Sequence, residues 1–183
     1  MNEIQLPFDP FNDRTARNIR NSLSTALVSD LSTMKGEMVD QVVHSWDLQK
    51  LLPVYRDYIR KTWEQYRRIE SQIAAAQIKE PQRQALALWN AGLFFELHEL
   101  LETIWHGTRG AERIGLKGLI QAAGVYVHHL RGKPAAARGL AERARRNLLA
   151  GKGHLGFIAN LEFLIECLDD LSRPPPRLVV SIS

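Results

Sequence analysis

The chain has 183 residues and one cysteine. That is long enough for one domain, or one domain with a helical extension, and it excludes an intrachain disulfide framework or a multi-cysteine zinc site. The net charge of +4 permits weak attraction to anions without demanding a nucleic-acid partner.

No window approaches the roughly 18 continuous apolar residues of a membrane span. Met1-Asn2-Glu3-Ile4-Gln5-Leu6-Pro7 lacks the basic start and apolar run of a secretory signal. A cytoplasmic protein with no membrane association is expected. Cys167, flanked by Leu164, Ile165 and Leu168, reads as a small core residue.

Asn12 or Asp13 can cap a first helix that runs through Ala16, Ile19, Leu23 and Leu27, apolar positions three or four apart. A shorter helix is expected around Glu37 to Trp46. After Leu52-Pro53 comes the longest periodic run, with Tyr55, Tyr58, Ile59, Thr62, Tyr66, Ile69 and Ile73 on one stripe, reaching about Ala76. Glu80-Pro81 reads as a break, because proline suits a first helical turn and disfavours helix in the residue before it. Gln82 to Trp89 is then a short helix, Asn90-Ala91-Gly92 a turn, and Phe94 to Trp105 the next helix, ended by Gly107-Thr108-Arg109-Gly110. Ala111 to Arg131 is a long helix stopped by Gly132, and a basic helix restarts at Pro134 and runs to Ala150. Gly151-Lys152-Gly153 reads as a flexible joint before a last helix from about Phe157 to Leu171. Arg173-Pro174-Pro175-Pro176 opens an extended tail, and only Leu178-Val179-Val180 has strand character.

The fold class expected is therefore all-α, a multi-helix orthogonal bundle. Residues 1–79 form an N-terminal helical extension, 80–172 the helical core domain, and 173–183 the tail.

Chemistry concentrates on the helix Phe94 to Trp105. With successive residues about 100° apart, Glu102 falls about 40° from His98 and Trp105 about 20° to the other side, so the three form one line. Phe94, Leu97 and Leu101 flank it on one side and Phe95 on the other, while Glu96, Glu99 and Thr103 take the opposite face. This predicts Glu102 pointing inward and Glu96 and Glu99 solvated. An inward carboxylate needs a partner, and His98, one turn earlier, is the nearest.

On the next long helix Gln121 and His128 share a face. Gly118 and Gly124 lie about 60° to either side of Gln121, small enough to admit another helix closely. If the two helices pack through these faces, His98, Glu102, Gln121 and His128 converge. His98, Glu102 and His128 are suitable ligands for zinc or ferrous iron with a position left for water. Gln121 would orient water or substrate, and Trp105 and Phe95 would line the site. A metal-free hydrogen-bond network would satisfy the same groups. The pattern is not the His-Glu-x-x-His motif of zinc proteases, since Glu102 stands where the second histidine would be, and no Glu-x-x-His pair of the di-iron bundles is present.

From about Ala85 to Leu149 the sequence resembles the domain of unknown function 309 family of bacteria and archaea. The residues that carry the resemblance are Asn90-Ala91-Gly92-x-Phe94-Phe95-Glu96-x-His98-Glu99-x-x-Glu102-x-x-Trp105, then Arg113, Gly118-Leu119-Ile120-Gln121, His128 and Arg131-Gly132. The resemblance implies an all-helical domain whose His-x-x-x-Glu-x-x-Trp motif is suspected of metal binding, with no established activity. Some members carry a metal-dependent hydrolase label. Lys133 and Lys117 depart from the asparagine and glutamine frequent at those positions.

The function expected is an uncharacterised protein with a buried metal site, read as a metal-dependent hydrolase. The alternative is a non-catalytic helical interaction protein whose His/Glu/Gln cluster locks the core. The partner is a small molecule or a protein. Arg138, Arg143, Arg145, Arg146 and Lys152 lack interleaved aromatics and read as a solvated face rather than a nucleic-acid surface. The long amphipathic N-terminal helices leave room for a homo-oligomer.

Overall fold

A computed structural model describes residues 8–181. Met1–Pro7, where the secretory-signal reading fell, lies outside them. Among the described residues the fold is all-helical, with α-helices, two short 3-10 turns and one isolated bridge. No helix among them is long and apolar enough to cross a membrane. The chain divides into two compact units, residues 1–77 and 78–183.

The first unit consists of α1 (Arg14–Thr33), α2 (Met38–Ser45) and α3 (Pro53–Ala75), each packed on the other two. Asp13 caps α1, accepting the Thr15 amide at 2.8 Å. The Tyr55 hydroxyl donates to its other oxygen at 2.5 Å and holds the carboxyl below its ordinary range. The apolar stripes expected on α1 and α3 are the buried faces, from Ala16, Ile19, Leu23 and Leu27 to Ile59, Tyr66, Ile69 and Ile73.

Helix α2 has no cap of its own at Glu37, and Asp30, from the last turn of α1, supplies one. This carboxylate is 2% exposed and accepts the amides of Glu37, Met38 and Val39, each at 2.9 Å. Three of the four donors that a helix start leaves unsatisfied are met by one buried side chain. Replacing Asp30 with alanine strands these amides and is expected to cost about 2 kcal/mol, measured by denaturant unfolding. A cost below about 0.5 kcal/mol would show that water takes over the cap.

The second unit consists of α4 (Pro81–Asn90), α5 (Phe94–Trp105), α6 (Gly110–Leu130), α7 (Pro134–Gly151) and α8 (Leu161–Asp169), each packed on the next in order from α4 to α8. Pro81 and Pro134 open their helices, where the missing N–H costs nothing. Gly92, at φ 74°, turns α4 into α5 through the left-handed region. Trp89, Phe94 and Tyr126 cluster in the core, and the Trp89 ring stands edge-on to both others at 5.1 and 5.4 Å. Cys167 is buried, as its neighbours suggested.

The small-residue face of α6 meets α7. A β-carbon at Gly118 would lie 2.6 Å from the Leu148 amide nitrogen, and one at Gly151 would run into the Gly115 backbone. Gly151 is thus not a flexible joint, since it is a point of close approach in an antiparallel helix pair and is followed directly by a 3-10 turn.

The last helix begins at Leu161 rather than near Phe157, because residues 157–159 pair with the tail instead. Ala159 donates to the Val179 carbonyl at 2.8 Å and Ser181 to that of Phe157 at 3.0 Å. Asn90 clasps Leu178 in both directions at 2.8 Å, Asn160 donates to the Arg177 carbonyl and accepts from Val179, and the Trp89 indole donates to the Pro176 carbonyl at 2.7 Å. The tail is docked, with Leu178 buried.

Candidate functional site

Helix α5 buries Phe94, Leu97, Leu100 and Leu101. Adding Leu100 and Ile104 to the apolar residues moves the centre of the apolar arc roughly 100° away from His98. The line of His98, Glu102 and Trp105 consequently runs along the edge of the helix, not its core face.

The inward orientation expected of Glu102 is corrected. Its side chain is 47% exposed and that of His98 is 36% exposed. Glu96, expected in solvent, is 5% exposed. His98 Nε2 and Glu102 Oε1 do meet, at 3.2 Å. A pair this exposed contributes at most about 1 kcal/mol, too little to hold a core.

His98, Glu99 and Glu102 each present one ligand atom, and these atoms all lie within 4.8 Å of one another. Among the described residues this is the one group of three or more histidine, cysteine, aspartate or glutamate side chains so assembled, and His128 is not in it. Glu99 was expected to point away from the line. The wheel places it about 60° from Glu102, and a glutamate's length closes that gap once both side chains lie outside the core. One imidazole and two carboxylates on two turns of one helix are a chemically suitable donor set for zinc or ferrous iron, and they leave the outer side of an ion open.

The neighbouring residues have defined tasks. The Phe95 ring lies parallel to that of His98, 4° between planes and 6.4 Å between centres. The Trp105 indole donates to the Arg113 carbonyl at 3.0 Å, and the Arg113 guanidinium sits 3.8 Å above its ring. Trp105 thereby fastens the end of α5 to the start of α6.

Gln121 accepts from Asn147 of α7 at 2.8 Å. Its glycine-flanked face is taken up by α7, so the convergence expected between that face and α5 does not form there. His128 sits in the last turn of α6 with Nδ1 shielded from solvent.

The candidate group is an open surface site. A cleft of about 430 Å³ in the same unit, lined by residues including Arg138, Arg145, Asp169 and Ser172, takes no wall from α5. Two cations of the basic helix and the turn after it are paired with α8, Arg145 to Asp169 at 2.8 Å and Lys152 to Glu162.

No curated protein and no solved structure matches the chain. Residues 82–140 match the model of a family described as a domain of unknown function, DUF309. The stretch runs from the first turn of α4 into α7 and contains His98, Glu99, Glu102, Trp105, Gln121 and His128, and over it the chain is similar to the DUF309 family.

Proposed function

We propose that the second unit binds a divalent transition-metal ion, zinc or ferrous iron, through His98, Glu99 and Glu102, and that it is a metal-dependent hydrolase of the cytoplasm. The observation that carries this reading is the meeting of three ligand atoms within 4.8 Å on α5. When bound, such an ion supplies Lewis acidity and an activated water. The chain's own contribution is to hold and orient: Phe95 lies parallel to the His98 ring, and Trp105 with Arg113 anchors the helix end. His128 is not required for this set, and the Gln121 carbonyl is engaged by Asn147. The rival reading, a core-locking network in an interaction protein, needs a burial that His98 and Glu102 do not have.

Zinc titration of the full chain against a competing chelator tests the proposal. The expected result is one equivalent bound by the parent protein, with affinity lowered tenfold or more in His98→Ala and also lowered in Glu99→Gln, at unchanged helicity. Equal affinity in parent and His98→Ala would overturn the site. Weakening by His98→Ala but not by Glu99→Gln would return the third ligand to His128.

A further inference from the structure

The first unit holds a second group of titratable side chains, independent of the α5 site. Arg67 of α3 gathers the junction between α1 and α2. Its Nη1 donates to the Gly36 carbonyl and to Glu70 Oε2, both at 2.8 Å, and its Nε and Nη2 engage Asp40 of α2. The Trp63 indole adds a bond to Asp40 at 2.7 Å. Glu70 lies next to Arg67 and within hydrogen-bonding reach of Asp30, the carboxylate that caps α2. Its side chain is 13% exposed, and Oε1 is shielded from solvent with no protein donor.

Both Asp30 oxygens already accept amides of α2, so Asp30 is held as the acceptor of the pair. A shielded glutamate oxygen with no donor, in a side chain that has a carboxylate within reach, is satisfied when it carries a proton and donates it. We propose that Glu70 and Asp30 share one proton as a carboxyl–carboxylate pair, and that this proton latches α2 against α1 and α3, so that its loss loosens the α1–α2 junction.

Every charged group that faces the pair bears on it. Arg67 favours ionised Glu70, and Asp30 opposes it. Lys35, in the loop before α2, lines the same cleft of about 350 Å³. Asp40 acts through Arg67 and is itself held below the usual carboxylate range by that guanidinium and the Trp63 indole. Burial outweighs the single cation and raises Glu70 to about 7.

The sign follows from linkage. A carboxyl that holds its proton more tightly in the closed state stabilises that state fully below the ordinary carboxylate range, and the contribution drains away as pH rises through about 7. The device is therefore closed in mild acid and weakened at and above neutrality.

Amide hydrogen exchange on the full chain, expressed as protection relative to each amide's intrinsic rate, tests this between pH 5 and 8.5. Protection of Met38 and Val39 is expected to fall at least tenfold from pH 5 to 7.5 and then level off. In Glu70→Gln, which keeps a donor at every pH, it is expected to stay flat, with the α3 amides reporting an intact fold. A flat profile in the parent protein, or the same slope in Glu70→Gln, overturns the latch. So does a Glu70 carboxyl carbon resonance that titrates near the ordinary carboxylate value instead of near 7.

Discussion

Trp89→Ala is expected to destabilise the second unit by about 3–5 kcal/mol, the range for truncating a buried aromatic. Trp89 is 2% exposed and is the hub of the ring cluster with Phe94 and Tyr126. It also carries one of the bonds that hold the tail, from its indole to the Pro176 carbonyl. Two losses therefore coincide, a cavity between α4, α5 and α6 and an acceptor left without its donor. Trp89→Phe shifts the balance towards the second, since it keeps a six-membered ring in the cluster and removes the N–H together with the five-membered ring, at an expected cost of about 1–2 kcal/mol. Denaturant unfolding measures both. Tryptic cleavage after Arg177 should speed up in both variants because the tail is released, and an unchanged cleavage rate would show that Asn90 and Asn160 hold the tail without the indole.

Gly118→Val is expected to cost about 3 kcal/mol, and more if α7 cannot give way, because overpacking at a backbone contact cannot be relieved by a rotamer change. A β-carbon at this position would lie 2.6 Å from the Leu148 nitrogen and 3.0 Å from the Asn147 carbonyl carbon. Gly139 is the control. It also lies inside a helix, α7, but a β-carbon there would meet nothing within 4 Å. Gly139→Ala removes only glycine's backbone freedom and should stabilise by about 0.5–1 kcal/mol. Thermal unfolding of the two variants should therefore shift in opposite directions. A neutral Gly118→Val would mean that the α6–α7 contact is looser than the structure describes.

Much of the fold was legible in the sequence. The stripes of α1 and α3, the proline starts of α4 and α7 and the glycine after α6 mark elements whose causes are local, and each boundary lies within a residue or two of its signal. The start of α8 was not legible. Phe157 to Asn160 reads as helix until the tail, some twenty residues later, offers those backbone groups a pairing partner. Asp30 likewise reads as an ordinary helix residue, and nothing local shows that it caps a different helix. Asn90 reads as a turn residue and Asn160 as a helix residue, because the partners of both lie in the tail.

The candidate site divides the same way. His98 and Glu102 follow from their spacing, four residues on one helix, and their contact forms. Glu99 was missed because the wheel was centred on the motif and not on the full apolar set of α5. Counting Leu100 and Ile104 turns the helix so that all three ligand-type residues face outward together. That signal was present in the sequence.

What the sequence alone determined is the helical class, the places where helices start and stop, and the His98 and Glu102 pair, because 3.6-residue periodicity, proline, glycine and one-turn spacing act within a single element. Only the tertiary structure decided which helix takes the glycine face of α6 and how far Glu102 stands from the core. Those outcomes depend on surfaces brought together from distant segments. The competition between α5 and α7 for α6 is settled by close packing at Gly115, Gly118 and Gly151, where two backbones approach without side chains between them.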